Sequence, residues 1–197
     1  MQNLIWNRNL KALLVLVFIF VLSMQGVAQS SNPVKSNLQF NPLGFVQFGP
    51  IIQAEIAVAP SFVLFPHARF AGLGLLSHLS VDYDEFDVSS MAFGGGFRVL
   101  PGSGKHRPYV GALVEYGWGT GQDSGSDYYN AAKYRHSYVS VIGNGGFRWR
   151  FNKLIMQAGA YAGAVIEIED VRTDVDVDYG NDVLFIAMLE FAIGFEF

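Results

Sequence analysis

From Val183 to Phe197 every second residue is apolar, similar stretches recur upstream, and the links between them alternate between short and long. A charged, then apolar, then small-residue order opens the chain. These observations predict an all-β protein, an eight-stranded antiparallel up-and-down transmembrane β-barrel preceded by a cleavable signal peptide.

The opening segment places Arg8 and Lys11 before eleven apolar residues, Ala12 to Leu22, followed by Ser23 and the small-residue site Gly26-Val27-Ala28. At 1.5 Å per residue such a run is too short to cross a hydrocarbon core of about 30 Å, so an export signal is expected rather than an anchor. Residues 1–28 are therefore read as a signal peptide cleaved after Ala28. Residues 29–36 form a short periplasmic N-terminal segment, and residues 37–197 form the barrel.

The chain of 197 residues is 51% hydrophobic and 15% aromatic and contains no cysteine. A disulfide scaffold, a thiolate zinc site and a cysteine-linked lipid anchor are thereby excluded. Formal charge is −4, and removing Arg8 and Lys11 with the leader takes it to −6, which leaves no electrostatic footprint for nucleic acid. No apolar run after the leader reaches 18 residues, so a membrane could be entered only by a closed barrel.

Period two carries the strand assignments, because strand side chains alternate between faces. In the last strand Val183, Phe185, Ala187, Leu189, Phe191, Ile193, Phe195 and Phe197 share one face, against Glu190, Gly194 and Glu196 on the other. Leu154 to Ile168 repeats the division, with Met156, Ala160 and Ile166 opposed to Gln157, Tyr161 and Glu167. Ser137 to Phe151 sets Val139, Val141, Phe147 and Trp149 against Ser140, Asn144, Arg148 and Arg150. The stretch from Pro108 sets Val110, Val114, Tyr116 and Trp118 against Tyr109, Gly111 and Glu115, and Ser90 to Val99 sets Met91, Phe93, Phe97 and Val99 against Gly94, Gly96 and Arg98.

Three less regular strands precede these: about 37–47, then 51–59 with Glu55 on the polar face, then about 62–79, where Pro66 implies a bulge or a late start. A tight Phe48-Gly49-Pro50 turn joins the first two. Short links are expected at 59–61, 101–104 and 152–153, and long polar ones at 80–87, 119–136 and 170–182. Short turns on one rim and long loops on the other suit an outer-membrane barrel with both termini in the periplasm.

The second face is too rich in glycine and too poor in charge for a solvated surface, so lipid outside is favoured over a soluble ligand-binding barrel. Its isolated charges, Glu55, Arg98, Glu115, Arg148, Arg150, Glu167, Glu190 and Glu196, would form a lumen network in which each buried charge needs a partner. On the apolar face Tyr116, Trp118, Trp149, Phe151, Phe195 and Phe197 gather toward strand ends, as in interfacial girdles.

With the alternation, the loop asymmetry and the ending Phe191-Ala192-Ile193-Gly194-Phe195-Glu196-Phe197, residues 36–197 resemble the small eight-stranded outer-membrane barrels of the OmpA/OmpX type and the porin-like outer-membrane barrel domains. The resemblance implies that Leu189, Phe191, Ile193, Phe195 and Phe197 form the C-terminal signal read by the barrel-assembly machinery. It also implies a monomer in contact with outer-membrane lipid and lipopolysaccharide.

The expected function is a non-enzymatic integral outer-membrane protein with a structural or surface-interaction role and a charge-plugged lumen. No cofactor, metal or catalytic residue is expected. A narrow porin-like channel, or a barrel binding lipid or another hydrophobic ligand, is the alternative, and a lipid A-modifying hydrolase is a remote one. The hydrolase reading would use His78 and Ser80, with Glu85 near, but only that pair resembles the lipid A deacylase motif, and His78 shares parity with the lumen. Asp174, Asp176 and Asp178 lack the glycine and glutamate that a calcium loop of the helix-loop-helix kind requires. Gly94-Gly95-Gly96 is followed by no helix that could cap a phosphate.

Overall fold

The computed structural model describes residues 32–76, 85–123, 133–172 and 183–197. Eight strands are present: β1 (Asn37–Asn41), β2 (Ile51–Ala59), β3 (Phe62–Arg69), β4 (Glu85–Val99), β5 (Arg107–Asp123), β6 (Lys133–Phe151), β7 (Leu154–Arg172) and β8 (Val183–Glu196). Each pairs antiparallel with its sequence neighbour and β1 pairs with β8, closing an up-and-down barrel. Closure removes the unpaired strand edges that an open sheet would leave. Among the described residues no helix is long and apolar enough to cross a membrane.

The period-two division becomes an inside and an outside. Phe93, Val110, Val114, Trp118, Val141, Leu189, Ile193 and Phe195 are exposed on the outer wall, while Glu55, Arg98, Glu115, Arg148 and Glu190 are buried within it. Val99 shares the outward parity yet is buried, at the point where β4 gives way to the link 100–106.

The first three strands differ from the sequence expectation. β1 stops at Asn41, not near 47, because Asn41 Oδ1 caps a 3-10 turn (Pro42–Phe45) by accepting from Leu43 N at 3.1 Å. Pro42 also brings no N–H to extend the ladder. The link from 42 to 50 is thus longer than a tight turn, and Gly49 completes it at φ +98°, a conformation that side-chain-bearing residues rarely adopt. β3 begins at Phe62 and holds Pro66 without a bulge against β4, in register opposite Gly95. The missing donor is accommodated on the other edge, where β2–β3 pairing is interrupted between Gln53↔His67 and Ile56↔Leu64. β3 then ends at Arg69, and a second 3-10 turn (Ala71–Leu73) replaces its expected continuation toward residue 79.

The links still alternate. Pro60-Ser61, 100–106 and Asn152-Lys153 lie on one rim, and 42–50, 70–84, 124–132 and 173–182 join strands at the other. The links 124–132 and 173–182 are shorter than expected, because β5, β6 and β7 extend further than the alternation alone suggested, whereas 70–84 is longer because β3 ends at Arg69.

The wall is low on the side of β1 to β3, and the β1–β8 ladder covers only Asn37↔Glu196 to Phe40↔Ile193. Above it, Asn41 Oδ1 accepts from Phe191 N at 3.4 Å. Gln47 Nε2 donates to Leu189 O at 3.0 Å and its Oε1 accepts from Leu189 N at 2.7 Å. One side-chain amide thus substitutes for a paired strand residue at the seam.

Inward glycines make room for the large inward side chains. Gly146 and Gly159 face each other across β6 and β7 with the Tyr109 hydroxyl lying over both, and a Cβ on Gly146 would meet that oxygen at 2.6 Å. Outward Gly143, by contrast, has only Ala162 O within reach of an added Cβ, at 3.7 Å. Gly159→Val is expected to lower stability by about 1–3 kcal/mol through overpacking, and Gly143→Val to stay within about 0.5 kcal/mol. Denaturant unfolding of the two variants in detergent checks the contrast.

Candidate functional site: a buried charge network in the lumen

The barrel interior is layered. Its lower layer, toward the short-link rim, is organised around Arg98 of β4, which is fully buried. Its Nη1 donates to Glu55 Oε1 at 2.8 Å, and its Nη2 to Glu190 Oε1 at 2.8 Å and to Tyr161 Oη at 2.9 Å. The guanidinium carbon lies 4.4 Å from the Phe65 ring centroid and 4.9 Å from that of Tyr109. Two acids and two aromatic faces therefore surround one delocalised cation, an arrangement suited to arginine's planar fork and weak hydration.

Arg148 of β6 completes the charge balance by donating from Nη2 to both Glu55 oxygens. Uncharged amides and a phenol fill the remaining sites. Arg148 Nε donates to Gln157 Oε1 at 2.6 Å, and Gln157 Nε2 to Gln39 Oε1 at 2.8 Å. Asn37 Nδ2 donates to Glu55 Oε2 at 2.9 Å, and Tyr109 Oη donates to Glu190 Oε2. With Phe65 as the β3 member, every strand supplies a side chain to this layer. Such saturation is what allows charges to sit out of water at tolerable cost.

An apolar layer of Ile51, Phe65, Leu113, Ile142 and Met188, with the Tyr161 ring, lies above it. Beyond that is a second polar group. Arg69 Nη2 donates to Glu115 Oε1 at 2.7 Å, and His67 Nε2 lies 2.9 Å from Glu115 Oε2. Ser140 Oγ donates weakly to Glu115 Oε1 at 3.4 Å, and Arg69 Nη1 lies 3.4 Å from Met188 Sδ.

Of the charges expected in the lumen, Glu55, Arg98, Arg148 and Glu190 meet in one cluster, and Glu115 lies apart from them in the upper group. Arg150 and Glu196 pair with each other at 2.7 Å near the short-link rim and do not join either cluster. The Glu167 side chain falls outside the described residues, as do His78, Ser80 and the acidic run 174–178. Leu189, Ile193, Phe195 and Phe197 are exposed on the outer wall, with Phe191 half-buried on the same face.

Sequence reasoning missed Arg69 and His67, although both share the parity of buried Val63 and Phe65. It also passed over Asn37, Gln39, Tyr109, Gln157 and Tyr161 as network members. Their inward parity was readable; their role as bridges between charges was not.

Within the described lumen three arginines, Arg69, Arg98 and Arg148, balance three glutamates, Glu55, Glu115 and Glu190. Among the described residues no three His, Cys, Asp or Glu side chains gather as metal ligands would. The arrangement cross-links the wall and fills it with fixed, mutually neutralised charge.

Arg98→Met leaves Glu55 and Glu190 to share Arg148 and is expected to cost about 3–5 kcal/mol, since it uncovers a buried charge. Arg150→Gln, at the partly solvated rim pair, is expected to cost less than about 1 kcal/mol. Unfolding curves of both variants in one detergent give the comparison. Set against known protein families, curated proteins and solved structures, the chain matches none of them.

Proposed function

We propose that the chain is an exported, integral outer-membrane β-barrel whose role is structural or surface-interacting, and whose lumen is closed by its charge network. The observation that carries this reading is the inversion of polarity, with charge inside and exposed Leu, Ile, Val, Phe and Trp outside. In water so continuous an apolar exterior would drive aggregation; in a bilayer it is the required exterior.

Strand length supports the same reading. A tilted strand crosses a bilayer in about 9–11 residues. β4 to β8 run from 14 to 19 residues, so they would cross and rise above the membrane. β2 and β3, with 9 and 8 residues, come near the minimum, and the link 42–50 with Gln47 completes the wall beyond the shorter β1. Exposed Leu189, Ile193, Phe195 and Phe197 offer the alternating C-terminal pattern suited to recognition by the barrel-assembly machinery. The leader through Ala28 would deliver the chain to the periplasm as a non-enzymatic monomer.

Passage of ions would require breaking Arg98 away from Glu55 and Glu190, and the apolar layer above offers them no replacement ligands. Purified protein in planar bilayers is therefore expected to show no stable conductance, and large reproducible single-channel steps would establish the channel alternative instead. In cells the protein is expected in the outer-membrane fraction, with gel mobility that changes on heating. A soluble protein of heat-insensitive mobility would overturn the membrane reading altogether.

A further inference from the structure

The described short-link rim is basic. Glu55, Glu115, Glu190 and Glu196 are the described acidic side chains of the barrel interior and the short-link rim, and twelve of the 17 acids fall, by sequence, within 82–87, 123–127 and 169–182. Three bases, Lys133, Arg135 and Arg172, fall within or near those stretches of sequence. The short-link rim reverses the ratio, with Lys35, Lys105, Arg107, Arg150 and Lys153. Outside the lumen network its one acidic side chain among the described residues is Glu196, and Arg150 already occupies it at 2.7 Å.

These basic residues sit on one continuous surface. Arg150 N donates to His106 Nδ1 at 3.2 Å, which ties the 100–106 link to the end of β6. Residues 32–36 cross the floor of the barrel as a strap. Asn32 Nδ2 donates to Ser103 O at 3.1 Å, and Val34 N to Pro60 O at 3.0 Å. Val34 packs against Val63, Leu100 and Tyr109. Arg107 holds the strap by donating to Asn32 O, and directs its other donors to Gly102 O and Gly104 O at 3.2 and 3.1 Å. All of these are neutral carbonyls, and among the described residues Arg107 forms no direct ion pair, Glu196 acting on it only at longer range. Lys35, Lys105 and Lys153 are exposed and have no ion-pair partner among the described residues.

The patch borders the apolar outer wall, where Phe151, Phe195 and Phe197 are exposed by 50%, 64% and 79%. Lysines that reach past aromatic residues at the edge of an apolar band are placed to meet phosphates at headgroup depth. We propose that this rim binds the anionic phospholipid headgroups of the leaflet that borders it. The inference rests on the membrane-barrel reading above and deepens it by naming the lipid class and the side of the barrel that holds it. Fixed positive charge anchors the short-link rim.

The test compares the detergent-purified wild type with Lys35→Gln/Lys105→Gln/Lys153→Gln and with the corresponding triple arginine variant. Native mass spectrometry reads retention of dioleoyl phosphatidylglycerol against dioleoyl phosphatidylcholine. Three exposed lysines are replaced and the lumen is untouched, so heat-modifiable mobility is expected in all three proteins. Wild type is expected to prefer phosphatidylglycerol, the glutamine variant to lose that preference by roughly tenfold or more, and the arginine variant to keep it. Equal retention by wild type and the glutamine variant, in folded heat-modifiable barrels, would overturn this proposal and leave the membrane reading intact. Lysine-dependent sedimentation with purified peptidoglycan, without any lipid preference, would overturn it in favour of a cell-wall polymer. Wild type that stays soluble without detergent would fail the membrane reading first, and this proposal with it.

Discussion

The Arg98 guanidinium is the point from which the interior of this protein is organised. It is fully buried and held between Glu55 of β2 and Glu190 of β8. A cation in that position is tolerable only if each neighbour is in place, because an isolated buried charge costs several kcal/mol, on the order of what a whole domain has to spare. The constraint therefore propagates outward. Glu55 needs Arg148, Arg148 needs Gln157, and Gln157 reaches Gln39 on the first strand. A network that passes through every strand fixes their relative register, since a one-residue slip would turn its members out of the lumen.

How far this was legible in the sequence depended on the length of each strand. β5 to β8 each hold 14 or more residues, enough for parity to be read several times over. In β1 to β3 the pattern is brief, and Asn41-Pro42 and Pro66 interrupt it. Pro66 was the more misleading, since its missing donor fell on the already irregular β2 edge and disturbed nothing toward β4. The interruption at Pro66 also hid His67 and Arg69, which follow it within β3.

The network was legible in kind and illegible in pairing. Alternation alone shows that Glu55, Arg98, Glu115, Arg148 and Glu190 point inward. It cannot show that Glu55 takes both Arg98 and Arg148 while Glu115 takes Arg69, because those partners are brought together by closure of the barrel. Arg150 and Glu196 share the inward parity, and only their height, close to the rim, separates them from the buried clusters. The uncharged bridges were harder still to recognise, since an inward Gln or Tyr has the same period as any other lumen filler.

The seam between the first and last strands governs the order in which the fold can be reached. Asn37 meets Glu196 there, and Gln47 meets Leu189 across 142 positions of chain. Neighbouring hairpins can form locally, but this contact must wait for nearly the whole chain to be available, and its loop-closure entropy comes due before it is repaid. Until then β1 and β8 keep open edges, and Arg98 lacks Glu190. An incomplete barrel is thus an unsealed and electrostatically unbalanced object, which gives a cell two independent physical marks by which to tell it from a finished one.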